Sequence, residues 1–189
     1  MQTIEPAEFK RGQVLMLDGA PWLVEEFHHV GTAKTRPKIH ARLRNLRTGH
    51  HVERAFGDAE RIDMTDLESR RVQFSFQQPD RFVFLDAQTF DEVELTPEQV
   101  GERHWFLKEN TDYKAWFLEG KLLEIELPDS MPLQVVDTAA PQRGGSEAAW
   151  KSATVEGGLE IMVPLFIGPG EVVRVDTRQR KYLRKENAE

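Results

Sequence analysis

Cysteine is absent from the chain, which excludes disulfides, thiolate nucleophiles and cysteine-ligated zinc or iron–sulfur centres. Long apolar runs are absent too. The longest, Ile161–Ile167, is interrupted by Pro164 and falls far short of the roughly 20 residues a membrane span needs. Residues 1–20 carry Glu5, Glu8, Lys10 and Arg11 and lack the apolar core of a secretory signal, so the expectation is a cytoplasmic protein with no membrane partner. Gly144-Gly145-Ser146 lacks the lysine and the Ser/Thr that end a phosphate loop. No Ser/His/Asp arrangement stands out, and the adjacent carboxylates Asp91 and Glu92 read as solvated surface. The chain is therefore expected to be no enzyme and to need no cofactor. What it does have is 189 residues, 39% of them apolar and 30% charged, enough to bury a core in one large domain or up to three small ones.

The formal net charge of −7 conceals an uneven distribution. Residues 1–64 hold 10 Lys/Arg against 9 Asp/Glu, residues 65–128 hold 7 against 14, and residues 129–189 hold 8 against 9. Within the first third, Gly31–Val52 contains Lys34, Arg36, Lys38, Arg42, Arg44 and Arg47 and no carboxylate. A second basic cluster, Arg174, Arg178, Arg180, Lys181, Arg184 and Lys185, has only Asp176 opposing it. An acidic middle between basic ends suits a molecule drawn to phosphate backbones by counterion release. From charge alone, two well-solvated faces fit equally. As phosphate contacts these cations would give affinity without sequence choice.

The periodicity is that of strands. Val14–Asp18 leads through Gly19-Ala20-Pro21 into Trp22–Val30. In Lys38–Leu46, Ile39, Ala41 and Leu43 alternate with Lys38, His40, Arg42 and Arg44, which puts the cations on one face; Thr48-Gly49 then closes a hairpin into His51–Phe56. Segment 31–37 is left as a projecting cationic loop. Further on, Val72, Phe74 and Phe76 are expected inward, Pro97–Gly101 is helix-compatible, and strands flank Glu119-Gly120. Charged Asp58–Ser69 and the Pro128–Pro132 stretch read as joints. Many short strands at this spacing indicate an all-β chain of small barrels, and three of about 60 residues fit the length: 1–64, 65–128 and 129–189. No internal repeat is visible.

Several ordered blocks resemble bacterial elongation factor P. They are Asp18-Gly19-Ala20-Pro21-Trp22-Leu23-Val24, Leu43 to Glu53, Phe82-Val83-Phe84-Leu85-Asp86, Glu126-Leu127-Pro128, Val163-Pro164-Leu165-Phe166, and Gly170 to Arg178 with Tyr182. The resemblance implies an SH3/KOW-like N-terminal barrel followed by two OB-folds in an L-shaped, tRNA-like arrangement. It further implies a monomeric translation factor whose partners are the ribosome, through its rRNA, and the peptidyl-tRNA, and which relieves stalling at consecutive prolines. The family's tip residue aligns on Lys34, a possible target of a tip-modifying enzyme. Arg36, Lys38, Arg42, Arg44, Arg47, Arg178, Arg180 and Lys181 become the RNA-binding candidates.

Two stretches depart from the family pattern. The tip reads Gly31-Thr32-Ala33-Lys34-Thr35-Arg36-Pro37, without the glycines that usually flank the lysine, and β-branched Thr35 resists the left-handed turn that glycine permits. Thr32-Ala33 is similar to the elongation factor P-like paralogue, so both branches stay open. Residues 143–150 are shorter than the family's third-domain Gly-Asp-Thr loop and lack its aspartate. The pairs His28-His29 and His50-His51 sit on strands, where neighbours face opposite ways, so no metal site is expected. Trp22 is expected in the core, and Trp150 is the one tryptophan placed for an RNA contact. The rival reading is a tandem-OB RNA-binding or chaperone protein that works away from the ribosome.

Overall fold

The structure, a computed structural model, describes residues 2–31, 38–142 and 149–186. Two compact units divide the chain: residues 1–101 with 114–125, and residues 102–113 with 126–189.

The first unit begins with a six-stranded antiparallel sheet in the order β1-β6-β2-β3-β4-β5. Its strands are β1 (Gln2–Ile4), β2 (Val14–Leu17), β3 (Ala20–Val30), β4 (Lys38–Asn45), β5 (His51–Gly57) and β6 (Ile62–Met64). The alternation read from the sequence builds its core, in which Ile39, Ala41 and Leu43 meet Val24, Leu15, Phe9 and Phe56. Asp58–Ser69, expected to be a joint, is partly strand. Ile62–Met64 closes the sheet against β1 and β2, and β7 starts at Glu68. A three-residue strand in a charged context has too little periodicity to be read from sequence.

A second sheet, ordered β11-β10-β7-β8-β9, comprises β7 (Glu68–Gln78), β8 (Arg81–Asp86), β9 (Glu92–Leu95), β10 (Asp112–Leu118) and β11 (Lys121–Glu126). Phe74 packs on Phe82 and Phe84, as expected. Phe76 does not follow it inward. A bulge at Ser75 breaks the period, so Phe76 pairs with Val83 and lies 38% exposed. A one-turn helix, α1 (Pro97–Val100), is held by a capping box in which the Thr96 hydroxyl accepts from the Gln99 amide and the Gln99 side chain accepts from the Thr96 amide. Leu123 of β11 packs with Val14 and Leu46 in a small cluster that ties the two sheets of this unit together.

The second unit contains β12 (Ser130–Thr138), β13 (Trp150–Val155), β14 (Glu160–Pro164), β15 (Val172–Asp176) and β16 (Lys181–Lys185), ordered β14-β13-β12-β15-β16. Taking each sheet's strands in chain order, the fourth and fifth flank the first on one side and the second and third on the other, as in the preceding sheet. The supposed joint at Pro128–Pro132 shrinks accordingly, because Ser130 already pairs with Asp176. Residues 102–113 belong to this unit: the Lys108 ammonium binds Glu156 at 2.6 Å, and Tyr113 donates to the Phe106 carbonyl at 2.7 Å. The architecture is all-β, in three sheets.

Candidate nucleic-acid interface

The candidate cations of the first third lie on the hairpin formed by β3 and β4. The two strands pair from Trp22↔Asn45 to Val30↔Lys38, so segment 31–37 joins their ends. Lys34 and Arg36 fall outside the described residues. At the end of the hairpin His28, His29, Val30, Gly31 and Lys38 are all exposed, clear of the core. Among the described residues no carboxylate pairs with Lys38. His28 and His40 face each other across the ladder with stacked rings 5.5 Å apart.

Farther down the hairpin the expected cationic face is already neutralised. Glu25 is the extra residue of a bulge, since Val24 pairs with Leu43 and Glu26 with Arg42. That insertion sets the Glu25 carboxylate among three partners: Arg44 at 3.0 Å, Arg42 at 3.5 Å and His51 at 3.3 Å. Arg42 stays exposed. Arg44 does not: it is 7% exposed, and its other arm donates to Glu124 of β11 at 2.5 Å. Here the structure corrects the expectation of an outward-facing phosphate contact, because the second sheet covers Arg44 and supplies its counter-charge. The segment without carboxylates in the sequence is not without them in space.

Arg47 is exposed on the turn after β4, and among the described residues its guanidinium has no carboxylate partner. It lines a hollow of about 340 Å³ with Gln99, Leu118, Glu119, Lys121, Leu122 and Leu123.

At the other basic cluster, Asp176 is not the opposing charge. Its carboxylate accepts from the backbone amides of Arg178 and Gln179. The counter-charges come from elsewhere in this unit: Arg178 pairs with Asp129 at 3.2 Å, Arg180 with Glu102 at 2.5 Å, Lys185 with Glu171 at 2.6 Å, and both Arg174 and Arg184 with Glu186. Lys181 is exposed, with no ion pair among the described residues. Lys185 and the Gly168 amide hold the Glu171 carboxyl below its ordinary value, and Arg174 does the same for Glu186. Trp150 is exposed and meets Tyr182 edge-on at 5.9 Å.

Among the described residues the turn at Asp176 is one of three of the same kind, a repeat that the sequence did not reveal. After β4, the Asn45 side chain accepts from the amides of Arg47 and Thr48, while its carbonyl accepts from Gly49. After β8, Asp86 accepts from Gln88 and Thr89, and its carbonyl from Phe90. After β15, Asp176 accepts from Arg178 and Gln179, and its carbonyl from Arg180. Asn and Asp favour such turns because the short side chain substitutes for a backbone acceptor. In each the fifth residue has positive φ: 76° at Gly49, 60° at Phe90 and 55° at Arg180. The three variants, NLRTG, DAQTF and DTRQR, share only the first residue type and the spacing.

Among the described residues no three or more His, Asp or Glu side chains are placed to hold a metal ion, and no helix is long and apolar enough to cross a membrane.

A six-stranded sheet followed by two five-stranded sheets of common topology, with cations on hairpins and turns, defines a class of multi-sheet all-β proteins. Residues 6–62 match the family model for the elongation factor P (EF-P) KOW-like domain, residues 67–125 that for the elongation factor P (EF-P) OB domain, and residues 131–185 that for elongation factor P, C-terminal. The chain belongs to the elongation factor P family. It is 39% identical over 184 residues to elongation factor P of Microcystis aeruginosa, covering 97% of this chain and 100% of the relative. Elongation factor P of Mycobacteroides abscessus is 39% identical over 182 residues, covering 96% and 97%. Among solved structures, translation initiation factor 5A from Methanococcus jannaschii aligns with a TM-score of 0.46 at 18% identity, over 66% of this chain and 95% of that one.

Proposed function

We propose that the chain is a translation elongation factor that binds the ribosome beside the peptidyl-tRNA and stimulates peptide-bond formation at consecutive prolines. The observation that carries this reading is the match to elongation factor P along all three segments, from residue 6 to residue 185. Supporting it is the β3–β4 hairpin, whose exposed end leads into the cationic segment around Lys34.

The mechanism in this reading is positional. Proline's ring fixes φ and restricts the approach of the reacting groups. Holding the CCA end of the peptidyl-tRNA lowers the entropic part of the barrier, and the ribosome performs the chemistry. Lys34 contacts the tRNA end. Arg36, Lys38, Arg42, Arg47, Arg178, Arg180 and Lys181 contact phosphates, the paired ones exchanging exposed carboxylate partners at little cost. Arg44 is left out of this set, since its charge is used inside the fold.

The test is a reconstituted translation reaction on messages with and without Pro-Pro-Pro. The protein is expected to raise synthesis on the proline message only, and Lys34→Ala is expected to abolish that gain with the melting temperature unchanged. Equal activity of Lys34→Ala would remove Lys34 from the mechanism. No effect of the unaltered protein on either message would favour an RNA-binding role away from the ribosome.

A further inference from the structure

The three Asx-pinned turns differ in what occupies the left-handed fifth position, and two of the three occupants have an internal reason. A Cβ on Gly49 would lie 2.3 Å from the Glu98 carbonyl oxygen, so only glycine fits. Arg180 turns its guanidinium onto Glu102. Phe90 has neither reason. It is 74% exposed, and its ring meets no other aromatic ring and joins no core cluster among the described residues. A lone exposed apolar residue is ordinary. A bulky side chain at φ 60° is not, because glycine or asparagine adopts that backbone at lower cost.

The turn also gives Phe90 little freedom. Its amide donates to the Asp86 carbonyl at 2.9 Å, the Asp86 amide donates to the Asp91 carbonyl at 2.9 Å, and Arg70 holds the Asp86 carboxylate at 3.0 Å. An aromatic ring is thus presented to solvent on a rigid support at some conformational expense, a pattern associated with contact sites. Asp91 and Glu92 follow it directly; both are exposed, and among the described residues neither has a cationic partner. Two unpaired carboxylates beside the ring repel phosphates and suit a positively charged partner.

We propose that Phe90 is the anchor of a docking site for a protein surface that offers an apolar pocket rimmed by lysine or arginine. The inference rests on the ribosome-binding reading above, where that surface would belong to a basic ribosomal protein rather than to rRNA. Aromatic anchors of this sort concentrate binding energy, and the flanking carboxylates set orientation.

Phe90→Asn separates anchor from scaffold, because asparagine keeps the turn and removes the ring. Purified 70S ribosomes are titrated with the unaltered protein and with Phe90→Asn, and both proteins are melted. The expected result is an affinity about tenfold lower for Phe90→Asn with a melting temperature equal or higher. In a parallel arm, benzoylphenylalanine placed at position 90 is irradiated on the ribosome, and the expected adduct is a ribosomal protein. Equal affinity of Phe90→Asn, a fall in melting temperature that accounts for the weaker binding, or an adduct only to rRNA overturns the docking site while leaving ribosome binding intact. Failure of the unaltered protein to bind 70S ribosomes overturns both readings.

Discussion

Arg44 is the residue whose role changes most between sequence and structure. Alternation along β4 puts it on the outer face with Lys38 and Arg42, and that face is indeed outer for the first two. The period says nothing about what covers a face. At Arg44 the cover is Glu124, 80 residues away in sequence, with Glu25 alongside. Removing one member of a buried ion pair leaves the other charge under-compensated, so Arg44→Met is expected to destabilise the protein by about 3 kcal/mol in denaturant unfolding. Arg44→Met combined with Glu124→Leu is expected to recover much of that loss, because Glu25 keeps Arg42 and His51. Equal stability of Arg44→Met and the parent would show that Arg44 is solvated after all. A charge-reversal test of RNA contact belongs on Lys38 and Arg42, where the fold is not at stake.

At the scale of elements, β4 was legible from its period-2 alternation, and β3, β8 and β10 from apolar and aromatic runs bounded by turn signals. Bulges were not legible. Ser75 and Glu25 each insert one residue, which turns Phe76 outward and brings a carboxylate into a basic face. The recurrent turn was not legible either, since it depends on one Asx side chain and a backbone conformation and leaves the remaining residues free. It has an acid signature. Burial raises the Asp86 carboxyl, but the Gln88 and Thr89 amides and Arg70 outweigh burial and hold it below its ordinary value. A depressed carboxyl adds stability that is complete above the unfolded-state value near 4 and is lost as pH falls through the folded-state value. Asp86→Asn keeps the acceptor, as Asn45 does in the first sheet, and gives up the charge. It is expected to cost about 2 kcal/mol at pH 7 and to flatten the fall in stability below pH 4, read from melting temperature across pH. An unchanged acid profile would assign that fall to Glu68, Glu171 and Glu186, whose carboxyls are also depressed.

For the whole molecule, the all-β class and the family were legible because ordered motif blocks survive from one end of the chain to the other. The electrostatic picture was only half legible. Local charge counts found two basic clusters, yet both recruit carboxylates from distant parts of the chain, Glu25 and Glu124 for one, Glu102, Asp129 and Glu171 for the other. Among the described residues, the cluster cations without a carboxylate partner are Lys38, Arg47 and Lys181. In the reading proposed above the exposed paired cations also exchange onto phosphates, so ribosome affinity is expected to fall steeply with salt. Lys38→Glu with Arg42→Glu should lower the slope of log affinity against log salt by about 2, since each phosphate left unneutralised accounts for roughly one unit. An unaltered slope would mean that these two residues touch no phosphate.

The bulge at Glu25 has one more consequence. Pairing is already in phase on both sides of it, with Val24 opposite Leu43 and Glu26 opposite Arg42, and Val24 and Phe27 both pack on the same core although they stand three apart. Excising Glu25 would leave each ladder partner where it is while removing the local coiling that the surplus residue imposes. One surplus residue thus coils the long hairpin near its base, and a lineage that lost it would re-aim the arm only by also giving up the carboxylate shared by Arg42, Arg44 and His51.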